Sequence, residues 1–233
     1  MRSPYELQNP FRTDATSPSR VRYRFAPGRN GANSSHMNQF LDAMMLSLKS
    51  NQRSQIVGSH GTGKTTLLHT LLPRLQDSYK RVVFKQLTND PRRSWYQRML
   101  QRKTSGQQVV TDLRGLATGS MMVVDGWEQL FSFHQRRAIK LAQSNKVALL
   151  ATSHQPISGF DLLHHSNMSP KLACSLADDL LTDSPYEVRQ RVLEEIKGRQ
   201  ITSQTNIRDL WFELYDVVED AHAQLASGPQ QLD

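Results

Sequence analysis

Three observations predict an α/β fold, a mostly parallel sheet flanked by helices with a C-terminal helical, lid-like extension. Short apolar runs alternate with amphipathic helical patterns from residue 37 to residue 165, the order that builds parallel sheets. The glycine-rich stretch Gly58-Ser59-His60-Gly61-Thr62-Gly63-Lys64-Thr65 falls between one such run and one such helix. From Ser169 onward only helical periods occur.

The glycine stretch fits G-x-x-x-x-G-K-[ST] at every fixed position. Its glycines let the backbone fold tightly and turn N–H groups onto phosphate oxygens. Lys64 supplies a point charge for phosphates, and the Thr65 hydroxyl, followed by Thr66, stands where Mg2+ is ligated. The helix behind the loop aims its positive end at the same anion. The flanks agree. Ser54-Gln55-Ile56-Val57 reads as a buried strand, and Leu67, Leu68, Leu71, Leu72 and Leu75 share one helical face. Pro73 is expected to kink or shorten that helix.

Taken in order, residues 1–35 form an irregular basic arm with prolines at 4, 10, 18 and 27. Phe11, Tyr23 and Phe25 give it side chains that can pack, and Val21–Phe25 alternates like a short edge strand. A nucleotide-binding core follows over 36–167. Its first helix spans 37–50, with Phe40, Leu41, Met44, Met45 and Leu48 inward. After the loop and its helix comes a strand over Arg81–Leu87. Asn89 or Asp90 then caps a helix with Pro91 at its first position and Trp95, Met99 and Leu100 on its face. Thr104–Gln108 reads as a flexible loop. Met121-Met122-Val123-Val124-Asp125 reads as a buried interior strand, because parallel strands covered on both faces are continuously apolar. A helix spans Trp127–Ser144, a strand Val147–Ala151 leads into Thr152-Ser153-His154, and an edge strand lies within Phe160–His165.

The segment 168–226 is helical. Ser169-Pro170 opens one helix, with Leu172, Ala173, Leu176 and Leu180 inward. Ser184-Pro185-Tyr186-Glu187 reads as a capping box with proline at the first position, and its helix stops at Gly198. Ile207, Leu210, Trp211, Leu214, Val218, Ala221 and Leu225 mark the last helix, and a frayed tail follows at 227–233.

The phosphate loop, Asp125 and Thr152-Ser153-His154 each end a strand, so a parallel sheet gathers them at its carboxyl edge. With that pattern, residues 50–155 resemble the P-loop NTPases of the additional-strand (ASCE) division, with features similar to both AAA+ and ABC-type ATPases. Gly58–Thr65 resembles Walker A, and Met121–Asp125 resembles Walker B. The resemblance implies that ATP is bound, that Thr65 and Asp125 hold Mg2+, and that an acid activates the attacking water. The position after Asp125, where that acid commonly stands, is Gly126, and Glu128 is the nearest carboxylate. Thr152 or Ser153 matches the polar sensor position, and His154 resembles the switch histidine of ABC-type ATPases. Thr104–Gln108 has a faint likeness to the ABC signature but lacks its leucine and one glycine. Thr205–Leu210 resembles the AAA+ sensor-2 segment, with Arg208 as the arginine and Thr205 where glycine is usual.

A Mg2+-dependent ATPase acting on an unknown protein partner is the expectation. A small-molecule kinase and a nucleotide-dependent binding module with little turnover are the alternatives. Lys and Arg exceed Asp and Glu by 29 to 21, a net charge of +8 that suits an anionic partner such as nucleic acid. Cys174 is the only cysteine, which excludes an intrachain disulfide and a cysteine metal cluster. Neither an apolar leader nor a run of 18 apolar residues is present, which reads as a cytoplasmic chain. GTPases are disfavoured, because Asn145-Lys146 precedes a strand and Ala148 stands where their base-specificity motif has Asp.

Overall fold

Interior strands form where apolar residues run without interruption, and strand β3 (Met121–Asp125) is buried along its whole length. The computed structural model describes residues 9–21, 23–24, 33–88, 90 and 92–227. The expected frayed tail beyond Ser227 lies outside the described residues, as do Phe25 of the arm and the Asn89 and Pro91 that were expected to start a helix. The chain divides into two units. One comprises residues 35–58 and 67–166; the other comprises 1–34, 59–66 and 167–233.

The first unit is built on a five-stranded sheet of β1 (Arg53–Gly58), β2 (Val82–Gln86), β3, β4 (Ala148–Ser153) and β5 (Asp161–Ser166). All pairs are parallel and the order is β2-β3-β4-β1-β5. β4 therefore stands between β1 and β3, the additional strand that the resemblance implied. In register, Val123 faces Leu150 and Ile56 faces Thr152, so β1, β3 and β4 end together at Gly58, Asp125 and Ser153. Helices α1 (Asn33–Ser50), α2 (Lys64–Ser78), α3 (Trp95–Arg114) and α4 (Ser132–Ser144) connect or flank the strands. Met122, Val124, Leu149 and Ala151 of the sheet form a core with Val109, Leu113, Ala138 and Ala142.

Several expectations for this unit need correction. Pro73 does not shorten α2, which runs on to Ser78; Leu71 and Leu75 on either side are fully buried and hold the turn in place. α3 begins later than expected. Ser94 is its cap and accepts from Gln97 N, while Gln97 Oε1 accepts from Ser94 N, a complete capping box. Its first turns are not a core face: Trp95, Met99 and Leu100 are exposed, and burial starts at Gly106. Thr104–Gln108 is not a loop but the middle of α3, and Gly106 is there for contact. A Cβ on Gly106 would lie 2.1 Å from His134 Nδ1 on α4. Burial lowers the pKa of His134, with Arg137 adding to the shift. Gly106→Ala is expected to cost about 1–3 kcal/mol as an overpacked contact, read as a lower denaturant midpoint.

The helix expected over Trp127–Ser144 is broken. A 3-10 turn spans Trp127–Gln129, and Leu130 and Phe131 are extended before α4 starts. Leu130 N donates to the Trp127 carbonyl as the 3-10 turn closes, and side chains bond the carbonyls around the break. Arg102 Nε donates to Gln129 O at 2.9 Å and Arg102 Nη2 to Glu128 O at 3.3 Å, while Gln135 Nε2 donates to the Trp127 and Leu130 carbonyls.

In the second unit, α5 (Pro170–Leu180), α6 (Tyr186–Gly198) and α7 (Ile207–Ser227) pack in sequence. Their core contains Leu172, Ala173, Ala177, Val188, Val192, Ile196, Trp211, Leu214 and Val218. Ser169 caps α5 as expected, accepting from Leu172 N. The capping box at Ser184 does not form: Pro185 takes the cap position of α6, with no side-chain cap bond. Leu225 is exposed rather than inward. The arm packs on α7: the Phe11 ring lies 5.1 Å from Trp211, and Asn9 Nδ2 donates to Tyr215 O and Glu219 Oε1. Arg24 pairs with Asp179 and bonds Ser175 Oγ. The edge strand expected over Val21–Phe25 is absent at the described positions 21, 23 and 24. Burial raises the Cys174 pKa; Lys197 opposes that shift and Asp178 adds to it, which leaves the thiol a weak nucleophile.

Candidate active site

The glycine loop leaves β1 at Gly58 and enters α2 at Lys64, so strand, loop and helix follow as the motif requires. Gly61 and Gly63 have φ of 71° and 89°, left-handed values that side chains resist. Thr62 Oγ1 donates to Ser59 O at 2.9 Å, and Lys64 Nζ donates to the same carbonyl at 2.7 Å. Lys64 is thereby held at 9% exposure rather than extended into solvent. His60 is exposed at the tip, and Thr65 and Thr66 open α2.

Two residues that the sequence did not place at this loop close on it. A Cβ on Gly61 would fall 1.8 Å from Asn206 Oδ1, so Asn206 stands flush against the loop backbone. The same Oδ1 accepts from Arg208 N, fixing Asn206 at the start of α7. Tyr23 of the arm, 6% exposed, lies 3.2 Å from the Cβ position of Gly63. Asn206 was legible only as part of the sensor-2-like segment, and Tyr23 only as an arm side chain that can pack. Arg208 itself is exposed.

The carboxyl edge of the sheet holds a second cluster. Asp125, 7% exposed, accepts from Thr152 Oγ1 at 2.6 Å and from Gln86 Nε2 at 3.3 Å. Thr152 Oγ1 also accepts from Gly126 N at 2.9 Å. One hydroxyl therefore ties the ends of β3 and β4 and orients the carboxylate. Ser153 turns elsewhere and donates to Gln155 O at 2.6 Å. Of the two sensor candidates, the one bonded to Asp125 is Thr152.

Gly126 explains why the usual acid is displaced. Its φ is 89°, and a Cβ there would lie 2.9 Å from Leu87 O. A glutamate at this position would need both an unfavourable backbone and a move of the neighbouring chain. The left-handed turn instead starts the 3-10 turn that carries Glu128. Glu128 Oε1 lies 3.0 Å from His154 Nε2, while His154 Nδ1 lies 3.2 Å from Gly58 O. An imidazolium donates to both oxygens, a neutral ring to one. The other carboxylate oxygen, Glu128 Oε2, is buried with no hydrogen-bond partner among the described residues. Glu128 is thus anchored through one oxygen.

The sheet edge thus gathers Asp125, Thr152, Glu128 and His154, and the loop gathers Lys64, Thr65 and Asn206. No group of three or more His, Cys, Asp or Glu residues suited to a metal occurs among the described residues. No helix among the described residues is long and apolar enough to cross a membrane.

No protein-family model matches the sequence, and no curated protein matches it. Solved structures do. The ORC1 protein of Aeropyrum pernix in complex with DNA aligns at 12% identity over 93% of this chain and 68% of that one, with a TM-score of 0.55. A DNA replication initiation factor aligns at 15% identity over 80% and 62%, with a TM-score of 0.53. AMPPCP-bound DnaA from Aquifex aeolicus aligns at 14% identity over 82% and 63%, with a TM-score of 0.50. The chain spans less than two thirds of the length of the latter two. What these neighbours share with this chain is the fold. The chain has the P-loop NTPase fold of the additional-strand division.

Proposed function

We propose that the chain binds ATP with Mg2+ and hydrolyses it, passing the resulting conformational change to a partner. The observation that supports this most is the loop from Gly58 to Thr65, with two left-handed glycines leading into the first turn of α2. Backbone amides of that turn point at an anion, and Lys64 can swing from the Ser59 carbonyl to a phosphate. In this scheme Thr65 and Asp125 hold Mg2+, which when bound neutralises phosphate charge. Thr152 keeps the Asp125 carboxylate aimed. Glu128 takes the proton of the attacking water through its unbonded oxygen, and His154 positions Glu128. The fold likeness to an ORC1 protein solved in complex with DNA and the net charge of +8 favour nucleic acid as the partner class.

Phosphate release from ATP tests the scheme. It should require Mg2+ and proceed with water alone as acceptor. ADP formation only when a small-molecule acceptor is added would make the chain a kinase. Tight nucleotide binding without phosphate release, with or without nucleic acid, would make it a binding module.

A further inference from the structure

We propose that the solvent face shared by α3 and α4 is a binding surface for single-stranded nucleic acid, with bases stacked on Trp95 and Tyr96 and phosphates held by the cations around them. Trp95 and Tyr96 are 68% and 64% exposed in the first turn of α3, and Met99 and Leu100 continue the apolar surface. Aromatic rings left in solvent offer a π-face to any base.

The exposed charge on α3 and on its neighbour α4 is predominantly positive. Arg92 and Arg93 precede α3, Arg98, Arg102 and Lys103 lie on it, and Arg136, Arg137 and Lys140 lie on the neighbouring α4. α4 contains no acid, and the one acid of α3, Asp112, is paired with Lys85 Nζ at 2.8 Å. Outside α3, Asp90 stands 4.0 Å from Arg93. Arg102 lies 4.7 Å from the centroid of the Phe131 ring while it donates to the Glu128 and Gln129 carbonyls, so its charge is fixed in place beside this face. A groove of about 560 Å³ runs along α3, lined by Arg93, Gln97, Leu100, Gln101, Thr104 and Ser105. Its amides and hydroxyls can bond base edges.

The pattern selects the ligand. A protein partner recognised through exposed apolar residues gains nothing from a rim of unopposed cations unless it is acidic. A duplex satisfies the cations but keeps its bases stacked, leaving Trp95 and Tyr96 without a use. A single strand uses both features. The inference does not depend on ATP hydrolysis.

Intrinsic fluorescence isolates the site, because the other two tryptophans, Trp127 and Trp211, are 2% and 6% exposed. An oligothymidylate of about 20 nucleotides, added to the full chain at low salt, should quench the exposed emission. Anisotropy of a labelled strand should show affinity falling linearly on a log–log salt plot. Trp95→Ala with Tyr96→Ala should weaken binding at least about tenfold, with the melting temperature unchanged, since both side chains are exposed. Arg136→Ala with Arg137→Ala should flatten the salt slope. Absence of quenching at low salt would overturn the proposal. So would aromatic variants that bind like the parent, or duplex preferred over single strand without effect of those variants. A dimer that Trp95→Ala dissociates would assign the face to a second copy of the chain and equally overturn it.

Discussion

Glu128→Gln is expected to slow ATP hydrolysis about 100-fold while ATP affinity stays nearly unchanged, the low end for loss of a general base. The amide cannot accept a proton, yet it keeps the shape of the carboxylate. Among the described residues the Glu128 side chain bonds to His154, at 3.0 Å. Binding and turnover should therefore separate. Single-turnover hydrolysis beside equilibrium binding measures the separation. Hydrolysis by Glu128→Gln at the parent rate would remove Glu128 as the base and turn attention to Thr152 and His154. A parallel loss of affinity would mean that Glu128 supports the loop rather than the water.

The displaced acid shows what sequence reasoning reaches and where it stops. Gly126 was visible as a departure, and Glu128 as the nearest carboxylate. That Gly126 is left-handed and pressed against Leu87 O, and that His154 holds Glu128, requires strands β3 and β4 to lie side by side. Pairings 26 residues apart leave no periodic trace. The strands themselves were legible because burial on both faces writes an unbroken apolar run. α3 misled for the converse reason. Trp95, Met99 and Leu100 share a helical face, which periodicity assigns to the core, yet the face meets solvent. The Ser94–Gln97 capping box was present in the sequence and outranks Asn89 and Asp90 as a start signal, because it satisfies two end groups rather than one. Trp127–Ser144 carries apolar residues at helical spacing; Arg102 on the Glu128 and Gln129 carbonyls and Gln135 on those of Trp127 and Leu130 show where it breaks. Asn206 on Gly61 joins segments 145 residues apart and was likewise out of reach.

Nucleotide binding by the loop is the claim on which the rest stands, and Lys64→Ala tests it most directly. A ligand at 100 times its dissociation constant stabilises the folded chain by about 2.7 kcal/mol. For a chain of this size that is an upward shift of roughly 5–10 °C in melting temperature. Lys64 lies on Ser59 O at 2.7 Å and is nearly buried, so its removal also costs some stability without ligand. The informative quantity is accordingly the shift that Mg2+ and ATP produce in each protein, not either melting temperature alone. The parent chain should shift upward by roughly 5–10 °C and Lys64→Ala by a small fraction of that, because the β- and γ-phosphates lose their cation. A parent chain that does not shift with ATP, or a Lys64→Ala chain that shifts as far as the parent, would contradict the assignment of this loop as a phosphate site.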